Sequence, residues 1–297
     1  MLNRVPLSQV VCPLISPSEL IAGYDLLLLD AYGVLVHNSG AMPGASEFLE
    51  EIAQQDKDFL VVTNDASRLP ETCAAKFQGY GLNIPADKVV TSGSLFARYF
   101  QDEGLSGARV MVLGSADSVR YVREAGGEVV EPSADTAFDM LALCDEAGYP
   151  FLKTMDLVLT NLCRHIDRGS CPKLVVPNPD VIYPIDGNAF GFTSGGAALL
   201  LEAALEKRYP MQKLKFTRLG KPHPPMYEEV RRRVAPGVSM VMIGDQIDTD
   251  IVGARAAGID AALVDTGIAK WDQLVVDPML APTYRLAGLV SGPQRPV

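Results

Sequence analysis

The stretch that decides the fold is Leu26-Leu27-Leu28-Leu29-Asp30-Ala31-Tyr32-Gly33-Val34-Leu35. Four consecutive leucines running into a carboxylate, then a glycine-containing turn, read as a buried strand that delivers Asp30 at its C-terminal end. Open α/β sheets place their ligand chemistry there. A carboxylate in such surroundings is poorly solvated unless a cation or a reaction partner meets it. Taken alone, Asp30 is either a metal ligand or nucleophile toward phosphorus, or a strand-terminating residue that caps a turn.

The flanking sequence repeats the pattern. Tyr24–Leu29, Phe59–Thr63 and Val89-Val90-Thr91 read as strands, separated by helices over Ala45–Gln55 and Leu69–Gly79. Near the other end, Ala197–Lys207, Met226–Val234 and Ile251–Ala257 read as helices. Ser239–Ile243 and Asp260–Val264 read as strands, with Thr266-Gly267 marking a loop. Strands alternating with helices imply βαβ units and a parallel sheet.

The segment from Ser92 to Thr193 has a βαβ pattern of its own. Arg109–Leu113 is a strand, Ser115–Ala125 a helix with Ser115 as N-cap, and Glu128–Glu131 a return strand; Leu157–Thr160 and Leu174–Val176 supply further strand material. About one hundred residues is domain size. The expected fold class is therefore α/β, with a Rossmann-like parallel-sheet core over 1–91 and 194–297 and an inserted α/β domain over 92–193.

Bulk composition narrows the partners. The 297 residues carry a formal net charge of −10, which argues against nucleic acid, since phosphate-backbone binding needs clustered Lys and Arg. Five scattered cysteines without a close pair read as reduced thiols in a cytoplasmic protein. Pro6, Pro13 and Pro17 interrupt an N-terminus that has no apolar core, so no signal peptide is expected. The longest apolar runs are strand length, so no membrane-spanning segment is expected.

Three further elements fit the chemistry of Asp30. Thr63-Asn64 ends the apolar strand Phe59-Leu60-Val61-Val62, where a hydroxyl and the following N–H groups can hold phosphate oxygens; commonplace loop chemistry is the other reading. Gly220-Lys221-Pro222 fixes a lysine just before a helix, well placed to neutralise an anion. Gly244-Asp245-Gln246-Ile247-Asp248-Thr249-Asp250 crowds three carboxylates into a turn after a strand. Gathered hard oxygens suit Mg²⁺; a helix-capping role fits Asp248 or Asp250 but not Asp245.

In order and spacing these four elements resemble the motifs of the haloacid dehalogenase superfamily of phosphotransferases. Asp30-x-x-Gly33-Val34-Leu35, Thr63-Asn64, Lys221 and Gly244-Asp245-x-x-x-Thr249-Asp250 look like its first to fourth motifs. The insert between the second and third motifs resembles a C2-type cap. Asn178-Pro179-Asp180, Pro184 and Gly220-Lys221-Pro222 resemble subclass IIA, a group that includes p-nitrophenyl phosphatase-like, sugar phosphatase-like and pyridoxal phosphatase-like proteins.

The resemblance implies an Mg²⁺-dependent phosphatase acting on a small phosphorylated substrate through an aspartyl phosphate. By position, Asp30 is the implied nucleophile, and Thr63 and Lys221 hold phosphate oxygens. Asp30, the Tyr32 carbonyl, Asp245 and Asp250 are the implied metal ligands. Asn64, Asp65, Asn178 and Asp180 are the implied substrate contacts. Asn178, Asp180 and Tyr183 read equally as hinge and turn chemistry among prolines, and Arg164 and His165 either contact a leaving group or lie on the surface. Caps of this type contribute to dimer contacts in the family, which leaves a homodimer open.

One position departs from the family pattern. The usual second Asp of the first motif, general acid and then base, is Tyr32 here. Positioned acid–base help is worth roughly 10²–10⁴ in rate, and a phenol is a poor base at neutral pH. Three outcomes are open: slow phosphoenzyme hydrolysis, a base supplied by His37 or Asp65, or a protein that binds a phosphorylated metabolite without turning it over and signals through a partner.

Overall fold

The computed structural model describes residues 5–133, 135–185, 189–265 and 275–290. The first four residues and the Thr266-Gly267 loop expected from the sequence lie outside these ranges. Leu26–Leu29 (β1) is buried along its whole length, as a strand covered on both faces must be. It leads to α1 (Ala45–Gln54), β2 (Asp58–Thr63), α2 (Pro70–Gly79) and β3 (Val89–Thr91). The middle of the chain holds β4 (Arg109–Leu113), α3 (Ala116–Glu124), β5 (Glu128–Val130), β6 (Met140–Leu143), α4 (Phe151–Asp167) and β7 (Lys173–Val176). A hairpin of β8 (Ile182–Pro184) and β9 (Phe190–Phe192) follows, then α5 (Ser194–Arg208) and β10 (Thr217–Arg218). The last part contributes α6 (Pro224–Arg232), β11 (Met240–Gly244), a π-helical turn over Ile247–Ile251, α7 (Val252–Ala256), β12 (Asp260–Val264) and β13 (Tyr284–Leu286).

These elements form two compact units. The first comprises the chain through Thr63, Pro70–Val90, and everything from Lys221 onward. Its sheet has the order β13-β12-β11-β1-β2-β3, and the pairs from β13 through β2 are parallel. Leu29 stands opposite both Ile243 and Val61. Neighbouring parallel strands therefore end at one edge, and Asp30, Thr63 and Asp245 leave the sheet together. Phe48 and Ile52 of α1 and Phe77 of α2 pack with Leu27, Leu29, Val61 and Ile243 to close one core.

The second unit comprises Asn64–Leu69 and Thr91–Gly220. Its sheet, β10-β7-β6-β4-β5, is parallel throughout. Ser115 caps α3 by accepting from the Ser118 N–H, as the sequence suggested. Two expectations are corrected here. Leu157–Thr160 is not a strand but lies inside α4, whose buried Met155, Val158, Leu162 and Ile166 recur at three- and four-residue spacing; over four residues a helical stripe and a continuous apolar run look alike. The inserted unit also does not stop at 193. Helix α5 packs Ala197, Ala198, Leu201 and Leu205 into the same core as Leu141, Leu143, Leu174 and Val176, so this unit extends to Gly220. Among the described residues no helix is long and apolar enough to cross a membrane.

Candidate active site

The site in the first unit is built by strand ends and two glycines. The Asp30 N–H donates to the Ile243 carbonyl at 2.9 Å, extending the β1–β11 ladder by one rung and fixing the carboxylate just past the sheet. Gly33 has φ +87°, and any side chain there would run into the Asp245 carboxylate; only glycine meets both demands. A Cβ on Gly244 would likewise collide with Asp250.

Asp250 arrives by an unusual winding. The Asp250 and Ile251 N–H groups both donate to the Gln246 carbonyl, at 3.1 and 3.3 Å, and the Val252 N–H reaches the Ile247 carbonyl. This π-turn carries Asp250 back toward the strand end that holds Asp245; such turns occur frequently at functional sites. Asp30, Asp245 and Asp250 consequently present oxygens that all lie within 4.8 Å of one another. Asp248, in the same segment, is exposed and takes no part.

Lys221 completes the group. Its Nζ donates to Asp30 Oδ1 and to Asp250 Oδ1, both at 2.6 Å, and Asp250 Oδ2 accepts from the Gln246 N–H at 3.2 Å. All four charged side chains are buried. Burial pushes the Asp30 carboxyl up to about 7, with Lys221 opposing and Asp250 adding to the rise. The Asp245 carboxyl is held well above the usual carboxylate range, by burial first and then by Asp30 and Asp250. Burial works against the Lys221 ammonium, yet Asp250 and Asp30 hold its pKa above the ordinary lysine value.

The donor set fits a hard divalent cation. Oδ1 of Asp245 is buried without a hydrogen-bond partner, and a buried polar oxygen left unpaired is costly. Three carboxylates against one ammonium leave surplus acid in a largely buried site. Oxygen donors at this density suit Mg²⁺ or Ca²⁺.

Thr63, the last residue of β2, is buried at the same sheet edge. The remaining residues singled out from the sequence fall into other groups. Within the second unit, Asn64 Nδ2 donates to Asp180 Oδ1 at 2.9 Å, and the Asp180 N–H donates to Asn178 Oδ1 at 3.0 Å. Ser194 Oγ donates to the Asn178 carbonyl at 3.1 Å, and Thr193 Oγ1 to that of Asp180. A Cβ on Gly220 would lie 2.6 Å from the Pro177 carbonyl. These contacts bring four chain segments of this unit together. Asp65 accepts from the Ser67 N–H and hydroxyl and from Arg68, which shapes a local turn. Arg164 pairs with Asp135 at the surface, and His165 Nδ1 lies 3.4 Å from Ser170 Oγ.

Tyr32 is engaged in a way the sequence did not reveal. Its hydroxyl is hydrogen-bonded to Lys76 Nζ of α2, whose ammonium lies 4.9 Å from the Tyr32 ring centroid and 5.8 Å from that of Tyr80. His37 is exposed and bonded through Nδ1 to Ser39. Lys76 has no motif signal, since its spacing from Tyr32 acquires meaning only after folding. Tyr227, behind Asp250, was also missed; a tyrosine on the apolar face of a helix looks like any core aromatic.

Residues 27–128 match the family model described as haloacid dehalogenase-like hydrolase, and residues 218–290 match one described as HAD-hydrolase-like. Chronophin from Bos taurus is 30% identical over 259 residues, 83% of this chain and 83% of that protein. A crystal structure described as a possible sugar phosphatase of the HAD superfamily, from Cytophaga hutchinsonii, is 28% identical with a TM-score of 0.80, covering 95% of this chain and 100% of that one. Glycerol phosphate phosphatase from Mycobacterium tuberculosis in complex with magnesium is 25% identical with a TM-score of 0.75, covering 93% of this chain and 77% of that one.

Proposed function

This chain belongs to the haloacid dehalogenase-like hydrolases, and we propose that it is a Mg²⁺-dependent phosphatase that hydrolyses a small phosphorylated metabolite of the sugar phosphate or glycerol phosphate class. The observation that carries this reading is the buried quartet: Lys221 at 2.6 Å from both Asp30 and Asp250, with the partnerless Asp245 oxygen beside them. A structural ion pair needs one carboxylate for one ammonium. A surplus of buried acid needs a bound cation to stay ionised.

The carboxylates of Asp30, Asp245 and Asp250, with the Tyr32 carbonyl, would hold the ion. When bound, Mg²⁺ supplies charge neutralisation that lets an anionic nucleophile approach a phosphate dianion. An Asp30 oxygen attacks phosphorus, the phosphorus–leaving-group bond breaks, and the departing oxygen takes a proton from solvent water to become the free alcohol. Lys221 and the Thr63 hydroxyl stabilise the equatorial phosphoryl oxygens, interactions that strengthen as charge develops there. Water then attacks the aspartyl phosphate at phosphorus, releasing inorganic phosphate and restoring Asp30.

Tyr32 makes the second step slow in this reading. Its phenol is committed to Lys76, and no carboxylate stands at this position to draw a proton from water. The deciding experiment is phosphate release from p-nitrophenyl phosphate with Mg²⁺, comparing the native chain with Asp30→Asn. Turnover that depends on Mg²⁺ and disappears in Asp30→Asn supports the reading; turnover that survives the substitution removes the nucleophile.

A further inference from the structure

We infer that Tyr227 is a positioning residue for this site, its hydroxyl holding the π-turn at the winding that aims Asp250 at Lys221. The inference rests on the phosphatase reading for its purpose, but its geometry stands separately. Tyr227 lies on α6, five residues after Pro222, and is 1% exposed. Its Oη donates to the main-chain carbonyl of Asp250 at 3.2 Å and is 3.5 Å from that of Thr249. The phenol thus adds a donor from a separate helix to main-chain carbonyls of the π-turn.

The consequence is that Asp250 is held at both ends. Its carboxylate is fixed by Lys221 Nζ at 2.6 Å and the Gln246 N–H at 3.2 Å, and its carbonyl by Tyr227. Gly253, in the turn after Asp250, closes the arrangement. A Cβ there would lie 2.6 Å from the Tyr227 hydroxyl and 2.7 Å from the Pro222 Cα, and Pro222 directly follows Lys221. Helix α6, the π-turn and the lysine segment thus meet at one phenol, with no room for a side chain between them.

A core tyrosine would need only its ring. A tyrosine that positions Asp250 needs its hydroxyl, and Tyr227→Phe separates the two. Gly253→Ala is the second variant, since it keeps the hydroxyl but crowds it from its place. For both, Mg²⁺ affinity is measured by calorimetry on the whole chain, kcat and KM with p-nitrophenyl phosphate, and melting temperature in EDTA. The expected result for Tyr227→Phe is a loss of Mg²⁺ affinity and of kcat of about tenfold each, the size of one buried hydrogen bond. KM should stay within about twofold, and metal-free melting should shift by only a few degrees. Gly253→Ala should lose affinity in the same direction.

Unchanged Mg²⁺ affinity in folded Tyr227→Phe overturns the inference, whatever happens to melting, while native turnover keeps the phosphatase reading intact. If the native chain binds Mg²⁺ without turning over substrate, that reading falls and the affinity comparison still judges Tyr227. A native chain that binds no Mg²⁺ overturns both.

Discussion

The ammonium of Lys221 sits 2.6 Å from Oδ1 of Asp30, although 191 positions separate the two residues along the chain. Both are buried, so each depends on the other for its charge. Asp30 gains a cation at the strand end, and Lys221 gains a fixed direction. The same ammonium reaches Asp250, which makes it the one cation that touches both sides of the carboxylate cluster among the described residues.

Removing that cation should be felt in activity before stability. Lys221→Met leaves Asp30 and Asp250 facing each other, and protonation can relieve the repulsion in the metal-free protein. On the role proposed for Lys221, the Thr63 hydroxyl is then left to stabilise the phosphoryl oxygens without a cation, and losing one such group typically lowers kcat by about 10²–10³. Lys221→Arg should not restore it, because the planar guanidinium cannot take the place of a point donor between two close carboxylates. Steady-state kinetics on both variants check this; a Lys221→Met variant with near-native kcat would remove Lys221 from the reaction.

Asp245→Asn should separate metal binding from folding. The Oδ1 atom of Asp245 is buried and partnerless, and burial and two neighbouring acids oppose its ionisation. A neutral isostere relieves this, so the variant should melt a few degrees higher than the native chain in EDTA, for a gain of about 1 kcal/mol. Adding Mg²⁺ should raise the melting temperature of the native chain and leave that of the variant nearly unchanged. Equal Mg²⁺ stabilisation of the two proteins would take Asp245 out of the ion's coordination.

The metal-free protein should lose stability as pH rises through the weakly acidic range. The Asp30 carboxyl is raised from 3.8 to about 7 in the folded state, chiefly by burial. Below 3.8 both folded and unfolded chains carry the proton, and the contribution of Asp30 is fully present. Between 3.8 and about 7 the unfolded chain releases its proton while the folded one keeps it, so stability falls with pH through that window. Asp245 shifts in the same direction. Melting in EDTA from pH 4 to 8 should show the decline, and Asp30→Asn should flatten it; an unaltered profile in the variant would assign the pH dependence elsewhere.

Tyr32 predicts an unusual gain of function. Its phenol is hydrogen-bonded to Lys76, and in the proposed reaction no carboxylate at this position draws a proton from water. Tyr32→Asp should raise the hydrolysis rate at least about tenfold, within the roughly 10²–10⁴ that acid–base catalysis supplies. Tyr32→Phe should change turnover by less than about tenfold. Single-turnover kinetics distinguish the steps. No gain in Tyr32→Asp would mean that another group already activates water.

Much of this architecture is legible in the sequence because it rests on local rules. The leucine run into Asp30, the glycine before Asp245 and the lysine between Gly220 and Pro222 each announce a strand end or a fixed turn. Their convergence follows once the strands are taken as parallel, since parallel neighbours end at one edge. What escaped reading depends on contacts across the chain. The stripe of α4 passed for a strand because its apolar residues are dense enough to hide their period. Helix α5 belongs to the inserted unit, and nothing in its own residues says which sheet will cover Leu201 and Leu205. The Tyr32–Lys76 pair, the Asn64–Asp180 bond and the docking of Tyr227 on Asp250 have no local signature, for each is made by two segments that only the fold brings together.

The most direct test is to quench the native chain in acid during turnover of a phosphorylated substrate with Mg²⁺ and to locate covalent phosphate by peptide mass spectrometry. The account predicts one phosphoryl group, on the peptide carrying Asp30, accumulating because hydrolysis is slow and absent from Asp30→Asn. Steady phosphate release with no phosphorylated Asp30 at any quench time, or release undiminished in Asp30→Asn, would contradict it.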